Sequence, residues 1–270
     1  MGVIIIQDNT DFDIRHILDC GQIFRYKQLD SGDWEIISLD KRCIVKPKDK
    51  GYEIICDDEE YFRRFFDLDT DYSLVKSRLR DKPMMNEAIE YGHGIRILRQ
   101  DKWEMLVSFI ISSNNHIPRI KSIIDRLCRT LGKDMGGYYS FPTPEAMADQ
   151  SVEFYKNIGA GYRDKFLLAT AKAVSEGFDL DCVDNMNAEE GAKYLCRLLG
   201  VGRKVADCIL LFGYHKQDVF PVDTWIRKVY VDLVGSEGKN DSTIRRYLLD
   251  VYGEDSGYAQ QYLFFNKREN

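Results

Sequence analysis

The sequence has no long apolar run: none of its hydrophobic stretches approaches the length that a membrane-spanning helix needs. Residues 1–8 include an apolar patch, but it is shorter than the core of a secretory signal and has no basic residues before it. Position 6 is Ile6, whereas an N-myristoylation signal carries Ser or Thr there. The 270 residues, 44% hydrophobic and 30% charged, predict a soluble intracellular protein with no membrane partner and one large domain or two packed ones.

The chain also lacks any cysteine pattern that is typical of a metal site. No C-x-x-C pair occurs, and no cysteine and histidine residues cluster at zinc-like spacing. No cysteine follows Cys208, which excludes a C-terminal iron–sulfur cluster because such a cluster needs four thiolates. We expect reduced and mostly buried thiols, no cofactor and no catalytic metal. The seven cysteines are Cys20, Cys43, Cys56, Cys128, Cys182, Cys196 and Cys208.

An excess of positive charge is missing as well. The chain has 38 Lys and Arg against 44 Asp and Glu, a formal net charge of -6. Taken alone, this balance argues against nucleic acid as a partner. It does not exclude one, because a binding face needs only a local set of donors, and helix N-termini and backbone amides supply part of that set without charge.

The first third of the chain has the pattern of an antiparallel β-meander. Residues 34–39, 42–46 and 52–56 are short runs rich in β-branched side chains, separated by polar turn sequences. From about Asp58 onward the pattern becomes helical. We therefore predict an α+β fold that is mainly α, with an antiparallel β domain over residues 1–80 and a helical region over residues 81–270.

Helix signals are frequent in the second region. Apolar residues recur at helical spacing over 118–131, with Pro118 in the first turn and Gly132 at the end. A second helix is predicted over 163–176, and Asn187 before two glutamates is typical of an N-cap. Further helices are expected to begin near residues 204, 223 and 241.

The segment 198–208 (LLGVGRKVADC) has the most informative pattern. Two glycines, Gly200 and Gly202, lie between two helical patterns, and such a turn allows another surface to approach the backbone closely. The first amides of the second helix then point outward, where a phosphate oxygen is a natural ligand. We predict a helix–hairpin–helix motif near residues 190–215. A plain helix–turn–helix connection with a glycine cap explains the same pattern without any function.

Lys204 opens the second of these helices, and a neutral lysine amine is a nucleophile that forms Schiff bases. Asp223, in the segment 220–225 (FPVDTW), precedes another helical run, so it is expected to be an N-cap. A capping carboxylate held near Lys204 would also stabilise positive charge on a sugar ring. Each residue alone has an ordinary explanation, as a surface lysine and as a cap.

Together these segments resemble the helix–hairpin–helix glycosylase superfamily, and within it the 8-oxoguanine DNA glycosylases. Residues 200–204 followed nineteen residues later by Asp223 match the superfamily signature. Five further segments match family motifs in consistent order, so that the resemblance spans nearly the whole chain. They are residues 20–25 (CGQIFR), 94–101 (GIRILRQD), 109–115 (FIISSNN), 159–163 (GAGYR) and 257–260 (GYAQ).

The resemblance implies a bifunctional DNA glycosylase and abasic-site lyase. Lys204 would attack the sugar C1′, displace the damaged base and form a Schiff base that permits β-elimination. Asp223 would stabilise the oxocarbenium-like transition state. The implied partner is double-stranded DNA that contains 8-oxoguanine, bound by a monomer, in the cytoplasm or nucleoid if the source is bacterial or archaeal.

The resemblance also implies how the flipped base is held. 8-Oxoguanine carries a hydrogen on N7, where guanine presents an acceptor, so a backbone carbonyl distinguishes the two. The family uses the glycine that matches Gly21, where no side chain intervenes. Cys208, at i+4 from Lys204, and Phe264 would pack on the two faces of the base, and Gln260 would read its Watson–Crick edge. Taken alone, Cys208 and Phe264 are more typical of ordinary core residues than of a base-binding site.

The remaining implied contacts concern the opposite base and the DNA backbone. Asn114 would fill the vacated space, Arg119 and Arg163 would grip the opposite cytosine, and Tyr162 would insert beside it. Gly200 and Gly202 would contact a phosphate. A monovalent cation at the hairpin carbonyls would bridge to that phosphate; these carbonyls belong to Cys196, Leu198 and Val201.

The chain departs from the familiar eukaryotic pattern at two positions. His116 stands where a third asparagine is usual, and Trp225 stands where a histidine near the phosphate is common. These two differences affect the expected phosphate contacts and the expected choice of opposite base. Two alternatives to the main interpretation stay open. One is a glycosylase of the same superfamily for a different damaged base, and the other is a non-catalytic helix–hairpin–helix DNA-binding module.

Overall fold

The computed structural model describes residues 2–270. The N-terminal part forms a five-stranded antiparallel sheet in the order β1-β5-β4-β3-β2. The strands are β1 (Gly2–Ile6), β2 (Tyr26–Gln28), β3 (Trp34–Ser38), β4 (Lys41–Lys48) and β5 (Gly51–Cys56). The three predicted strands are confirmed as β3, β4 and β5. The pattern did not predict β1 or β2, because β1 has no regular alternation and β2 has three residues.

One face of the sheet is buried because its alternate positions are apolar. Ile36, Val45 and Ile54 are fully buried, and Val45 lies opposite Ile54 in the ladder between β4 and β5. At the end of the β4–β5 turn, a Cβ on Gly51 would lie 2.0 Å from the carbonyl oxygen of Ile6, so only glycine allows β1 to pair there.

Residues 2–270 also contain fourteen α-helices and three short 3₁₀ turns. None of these helices is both long and apolar enough to cross a bilayer. The first seven are α1 (Ile14–Asp19), α2 (Glu59–Phe65), α3 (Tyr72–Arg80), α4 (Met85–Tyr91), α5 (Lys102–Ser112), α6 (Ile117–Leu131) and α7 (Pro144–Ala148). The others are α8 (Val152–Asn157), α9 (Asp164–Ser175), α10 (Ala188–Leu195), α11 (Arg203–Gly213), α12 (Thr224–Val234), α13 (Asp241–Tyr252) and α14 (Ser256–Glu269).

The helix boundaries follow the predicted capping signals closely. Pro118 lies in the first turn of α6, and Gly132 ends that helix. Asn187 and Glu190 form a reciprocal capping box at the start of α10. The helices expected near 204, 223 and 241 begin at Arg203, Thr224 and Asp241. The predicted mainly α fold, with an N-terminal antiparallel sheet and a helical body, is confirmed.

Two hydrophobic cores organise the chain. The smaller one lies between the sheet, α1 and α2, and the larger one joins the helices from α3 onward. The larger core also takes in Cys20 and Phe24, from the segment between α1 and β2. The predicted division at residues 80 and 81 stays a prediction. The sheet ends at Cys56, and α3 packs with the helical body through Tyr72 and Val75.

Candidate active site

Five separate parts of the chain line one cavity at the edge of the larger core. They are the segment after α1, helix α5, helix α11, the start of α12 and helix α14. All six residues predicted for catalysis and base binding are among its lining residues: Lys204, Asp223, Gly21, Cys208, Gln260 and Phe264. Phe109, Phe212, Pro221, Cys20 and Gln261 complete the lining.

Lys204 lies in the first turn of α11, and its side chain is partly exposed at the cavity. Its amine is 5.7 Å from the centre of the Phe109 ring, which is in turn stacked on Phe212. One turn further along α11, Cys208 is buried. Burial raises the pKa of the Cys208 thiol to about 11, and the nearby Lys204 amine opposes the shift. The thiol is therefore uncharged at neutral pH and presents an apolar surface to the cavity.

Asp223 combines the two functions predicted for it at one position. Its Oδ1 accepts hydrogen bonds from the amides of Trp225 and Ile226, both at 2.9 Å, so it caps α12 as expected. These two bonds fix the carboxyl group while it lines the same cavity as Lys204. A carboxylate held in this way is positioned to stabilise positive charge that develops beside Lys204.

Gly21 follows the end of α1 with a φ of +80°, a conformation that favours glycine. A Cβ at this position would lie 3.2 Å from Cε1 of Phe264. The carbonyl groups just before it are held from α14: Gln261 Nε2 donates to the Cys20 carbonyl at 2.6 Å, and Arg268 Nη2 donates to the Asp19 carbonyl. The backbone around Gly21 is thus fixed at the cavity.

Helix α14 presents Gln260, Phe264 and Arg268 at intervals of four residues on one face. Gln260 is 5% exposed, and its Oε1 atom has no hydrogen-bond partner among residues 2–270. A buried polar atom without a partner is costly unless a ligand supplies one. The Arg268 guanidinium lies 5.3 Å from the Phe264 ring centre. Sequence reasoning missed Arg268 and Gln261, although the spacing of Arg268 from Gln260 and Phe264 is a helical signal for the former.

The residues expected at the opposite base lie together in a second cluster, between α5 and α9. Asn114 is exposed in the turn before α6 with a φ of +47°. Tyr162 is 54% exposed, and its hydroxyl donates to the Ser113 carbonyl at 2.9 Å. Arg119 is exposed and reaches the Gly159 carbonyl at 3.3 Å. These three side chains are accessible to DNA.

Arg163 behaves differently from its neighbours. Its side chain is only 2% exposed, and its guanidinium donates to the carbonyls of Ser113, Asn114 and Ala160. These contacts join the turn before α6 to the turn before α9. In the free protein Arg163 therefore has a structural role, because these hydrogen bonds hold the turns that carry Asn114 and Tyr162 in place. A direct contact with a cytosine stays a prediction.

The segment between α10 and α11 is a tight hairpin. Gly200 has a φ of +90°, and a Cβ there would lie 2.7 Å from the Phe166 side chain. Gly202 is the N-cap residue of α11, and a Cβ on it would meet no atom within 4 Å among residues 2–270. Within the same residues no side chain caps α11, so its first amides are free to bind a phosphate oxygen.

The hairpin carbonyls predicted for a cation differ in their hydrogen bonding. The Leu198 carbonyl accepts from the Val201 amide at 3.1 Å. Outside the helices, no backbone amide of residues 2–270 donates to the carbonyls of Cys196 or Val201. These two oxygens keep acceptor capacity that fits a monovalent cation.

A buried ion-pair network holds α11 in position against α10 and α13. Asp207 is fully buried and pairs with Arg203 on its own helix and with Arg245 on α13, at 3.1 and 2.5 Å. Arg203 also pairs with Glu189 of α10. Because Asp207 neighbours Cys208, this network sets the orientation of the helix that carries Lys204. The sequence offered no signal for it beyond the spacing of Arg203 and Asp207.

Family comparisons agree with this geometry along most of the chain. Residues 4–106 match the model described as 8-oxoguanine DNA glycosylase, N-terminal domain. Residues 107–253 match the model described as HhH-GPD superfamily base excision DNA repair protein.

Three relatives illustrate the similarity. "Probable N-glycosylase/DNA lyase" of Methanothermobacter thermautotrophicus is 29% identical over 78% of this chain and 75% of its own length. "N-glycosylase/DNA lyase OGG1" of Arabidopsis thaliana is 33% identical over 67% of this chain and 54% of its own. The crystal structure of Clostridium acetobutylicum 8-oxoguanine glycosylase/lyase, in complex with dsDNA containing cytosine opposite to 8-oxoG, is 35% identical with a TM-score of 0.93. That comparison covers 100% of this chain and 98% of the other. The chain therefore belongs to the 8-oxoguanine DNA glycosylase family of the helix–hairpin–helix (HhH-GPD) superfamily of base excision DNA repair proteins.

Proposed function

We propose that the protein excises 8-oxoguanine from duplex DNA and then nicks the strand at the resulting site. The observation that carries this proposal is the convergence of Lys204, Asp223, Gly21 and Gln260 on one cavity from four parts of the chain. A non-catalytic binding module needs no lysine and carboxylate in one cavity, beside a buried amide oxygen that has no protein partner.

Base binding comes first and requires the damaged nucleotide to leave the stack. The Gly21 carbonyl accepts the hydrogen on N7 of 8-oxoguanine, which guanine does not carry there. The unpartnered Oε1 of Gln260 accepts a hydrogen from the Watson–Crick edge of the base, where guanine-type bases carry N–H donors. Cys208 and Phe264 supply apolar surfaces for the two faces of the base.

Chemistry follows at the sugar. The neutral Lys204 amine attacks C1′, the bond between C1′ and the base breaks, and the base leaves with that electron pair and takes up a proton. Asp223 stabilises the positive charge on the sugar during this step. The amine then forms an imine with the opened sugar, a proton leaves C2′, and the bond from C3′ to the 3′ phosphate breaks.

DNA is held on either side of the cavity. The free amides at the start of α11 bind a phosphate, with a monovalent cation at the carbonyls of Cys196 and Val201. Tyr162, Asn114 and Arg119 occupy the space that the flipped nucleotide leaves and contact the opposite base. We infer that the protein acts inside the cell, because that is where its DNA substrate lies. We also infer that it acts as a monomer, because one chain carries every group that this scheme uses.

Borohydride trapping tests the mechanism directly. The parent protein is expected to form a covalent adduct with a duplex that contains 8-oxoguanine opposite cytosine, and Lys204→Gln is expected to form none. Lys228→Gln is a matched control, because that exposed lysine of α12 packs on Trp225 and lines no part of the cavity. An adduct that survives Lys204→Gln would contradict the assignment.

The same assay separates the alternatives. Duplexes that contain 8-oxoguanine, an oxidised pyrimidine or unmodified guanine are compared under single-turnover conditions. Preference for an oxidised pyrimidine would favour a sister glycosylase specificity. Binding of every duplex with no adduct would favour the non-catalytic module.

A further inference from the structure

A cluster of possible metal ligands lies outside the active site, at the far end of α1. Asp13, His16 and His93 each offer one ligand atom, and these atoms all lie within 4.8 Å of one another. We propose that these three residues bind a divalent transition-metal ion of the zinc class. The set of two imidazoles and one carboxylate is chemically suited to zinc, with a water as the fourth ligand.

The backbone brings these residues together across about eighty positions of sequence. The Asp13 amide donates to the Gly94 carbonyl at 2.9 Å, and the Gly94 amide donates a long hydrogen bond to Nδ1 of His16 at 3.4 Å, which a metal bound at that nitrogen would replace. A Cβ on Gly94 would lie 2.2 Å from the Asp13 nitrogen, so glycine is required for this contact. His93 is therefore fixed beside α1 by its own neighbour in the chain.

The carboxyl group of Asp13 is held in place but is only partly satisfied. Its Oδ1 accepts from the amides of Arg15 and His16 at 2.9 and 3.3 Å, which caps α1. Among residues 2–270 its one ion-pair contact is with Arg15, at 3.9 Å, and the Arg15 side chain is 71% exposed. The second carboxylate oxygen accepts no hydrogen bond from those residues, so a bound cation would provide the close charge partner that Asp13 lacks.

The two imidazoles already lie in a compact arrangement. Their ring centres are 4.7 Å apart with the planes at 82°, and Phe265 of α14 packs against His16 at 5.5 Å. Lys76 is the other cation close by, and it is occupied by Asp11 and by the carbonyls of Thr10 and His93. Zinc–nitrogen and zinc–oxygen bonds are about 2.0–2.2 Å long, so these ligand atoms, which lie within 4.8 Å of one another, would have to move closer together to share one ion.

A metal here would act on structure and not on the chemistry of base removal. It would tie the start of α1 to residues 93–94, and α1 leads at its other end to Cys20 and Gly21. The site is thus independent of the proposed activity, and its failure would leave the catalytic scheme untouched.

The test uses the full chain without a histidine tag, stripped with a chelator. Titration with Zn²⁺ by calorimetry is expected to give one site per chain and to raise the thermal unfolding midpoint. His93→Asn is expected to weaken Zn²⁺ binding by more than about tenfold. Loss of a residue that only hydrogen-bonds to a metal ligand already lowers metal affinity by about that factor, and His93 is proposed as a ligand itself. His116→Asn is the matched control, because this exposed histidine lies at the start of α6, and it should bind as the parent does.

Two further measurements keep the test decisive. Asp13→Asn keeps a capping oxygen for α1, so weaker binding with an unchanged midpoint of the metal-free form separates ligation from folding. Co²⁺ bound at the proposed site should give a nitrogen–oxygen spectrum without thiolate charge-transfer absorption. Absence of saturable binding, equal affinity in His93→Asn, or loss of binding in Cys196→Ser would each overturn the proposal.

Discussion

The sensing of 8-oxoguanine by a backbone carbonyl predicts a selective defect in Gly21→Ala. The substitution changes two things at once. A non-glycine residue at a φ of +80° costs about 1–2 kcal/mol, and the new methyl group would lie 3.2 Å from Cε1 of Phe264. That contact is tighter than ordinary packing, so either the ring or the Gly21 backbone must shift by a few tenths of an ångström.

The expected loss of excision rate in Gly21→Ala follows from the displacement of the Gly21 carbonyl. A shift that breaks this hydrogen bond leaves a buried donor on the base without a partner, which costs about 1–3 kcal/mol. Since about 1.4 kcal/mol is a tenfold change in rate, excision of 8-oxoguanine is expected to fall roughly 5- to 150-fold. Cleavage of a duplex that already contains an abasic site needs no base in the cavity. Its rate is expected to stay within about twofold of the parent, well below a 1.4 kcal/mol effect.

Gly32→Ala is a matched control for backbone strain. Gly32 has a φ of +86° in the turn between β2 and β3, and a Cβ there meets no atom within 4 Å among residues 2–270. A strain cost of about 1–2 kcal/mol should lower the unfolding midpoint of both variants by roughly 2–8 °C. Only Gly21→Ala should lose excision.

The assay compares single-turnover rates on two duplexes, one with 8-oxoguanine opposite cytosine and one with an abasic site. Equal losses on both duplexes would show that Gly21→Ala damages Lys204 or the fold and not base recognition. Parent-like excision in Gly21→Ala would refute the role of the carbonyl altogether.

Two further predictions concern residues that the structure places in distinct surroundings. Asp223→Asn keeps the capping oxygen of α12 but loses the charge, so excision should fall by at least about 100-fold while the unfolding midpoint and DNA affinity stay close to the parent; equal turnover would contradict the electrostatic role. Tyr162→Ala should weaken DNA binding without loss of stability. Arg163→Ala should instead destabilise the fold by about 1–3 kcal/mol, because it leaves buried carbonyls unpaired. Rates opposite C, A, G and T in Arg119→Ala, compared with the parent, measure how far that arginine sets the opposite-base preference, and an unchanged preference would remove it from that role.

The local elements were predictable because their signals are local. Capping residues such as Asn187, turn glycines and helical periodicity act over four or five positions, and the structure places helix starts within a residue of the predicted ones. Strand β1 was not predictable in this way. Its pairing with β5 joins positions about fifty residues apart, and its apolar run has no alternation that marks one face.

The residues that line the catalytic cavity could be predicted from the sequence, but the side chains that hold those residues in position could not. The motif residues come together as expected, whereas the side chains that hold them in place lie at positions that carry no sequence signal beyond helical spacing. Gln261 and Arg268 fix the backbone beside Gly21, and Asp207 braces α11. Arg163 was predicted to contact DNA, but its guanidinium is buried against backbone carbonyls. The sequence gives the charge of an arginine but not whether its donors face solvent or buried carbonyls.

The net charge of -6 does not conflict with binding of DNA at the hairpin. Arg203 and Arg245, which border the hairpin surface beside Gly200 and Gly202, are already neutralised by Asp207 and Glu189. What remains open to DNA at this surface is the uncapped start of α11, where amide groups and the helix dipole attract phosphate without any net positive charge. The acidic composition is therefore compatible with a DNA-binding face, because the arginines there are used to position a helix and the backbone is left to bind the phosphate.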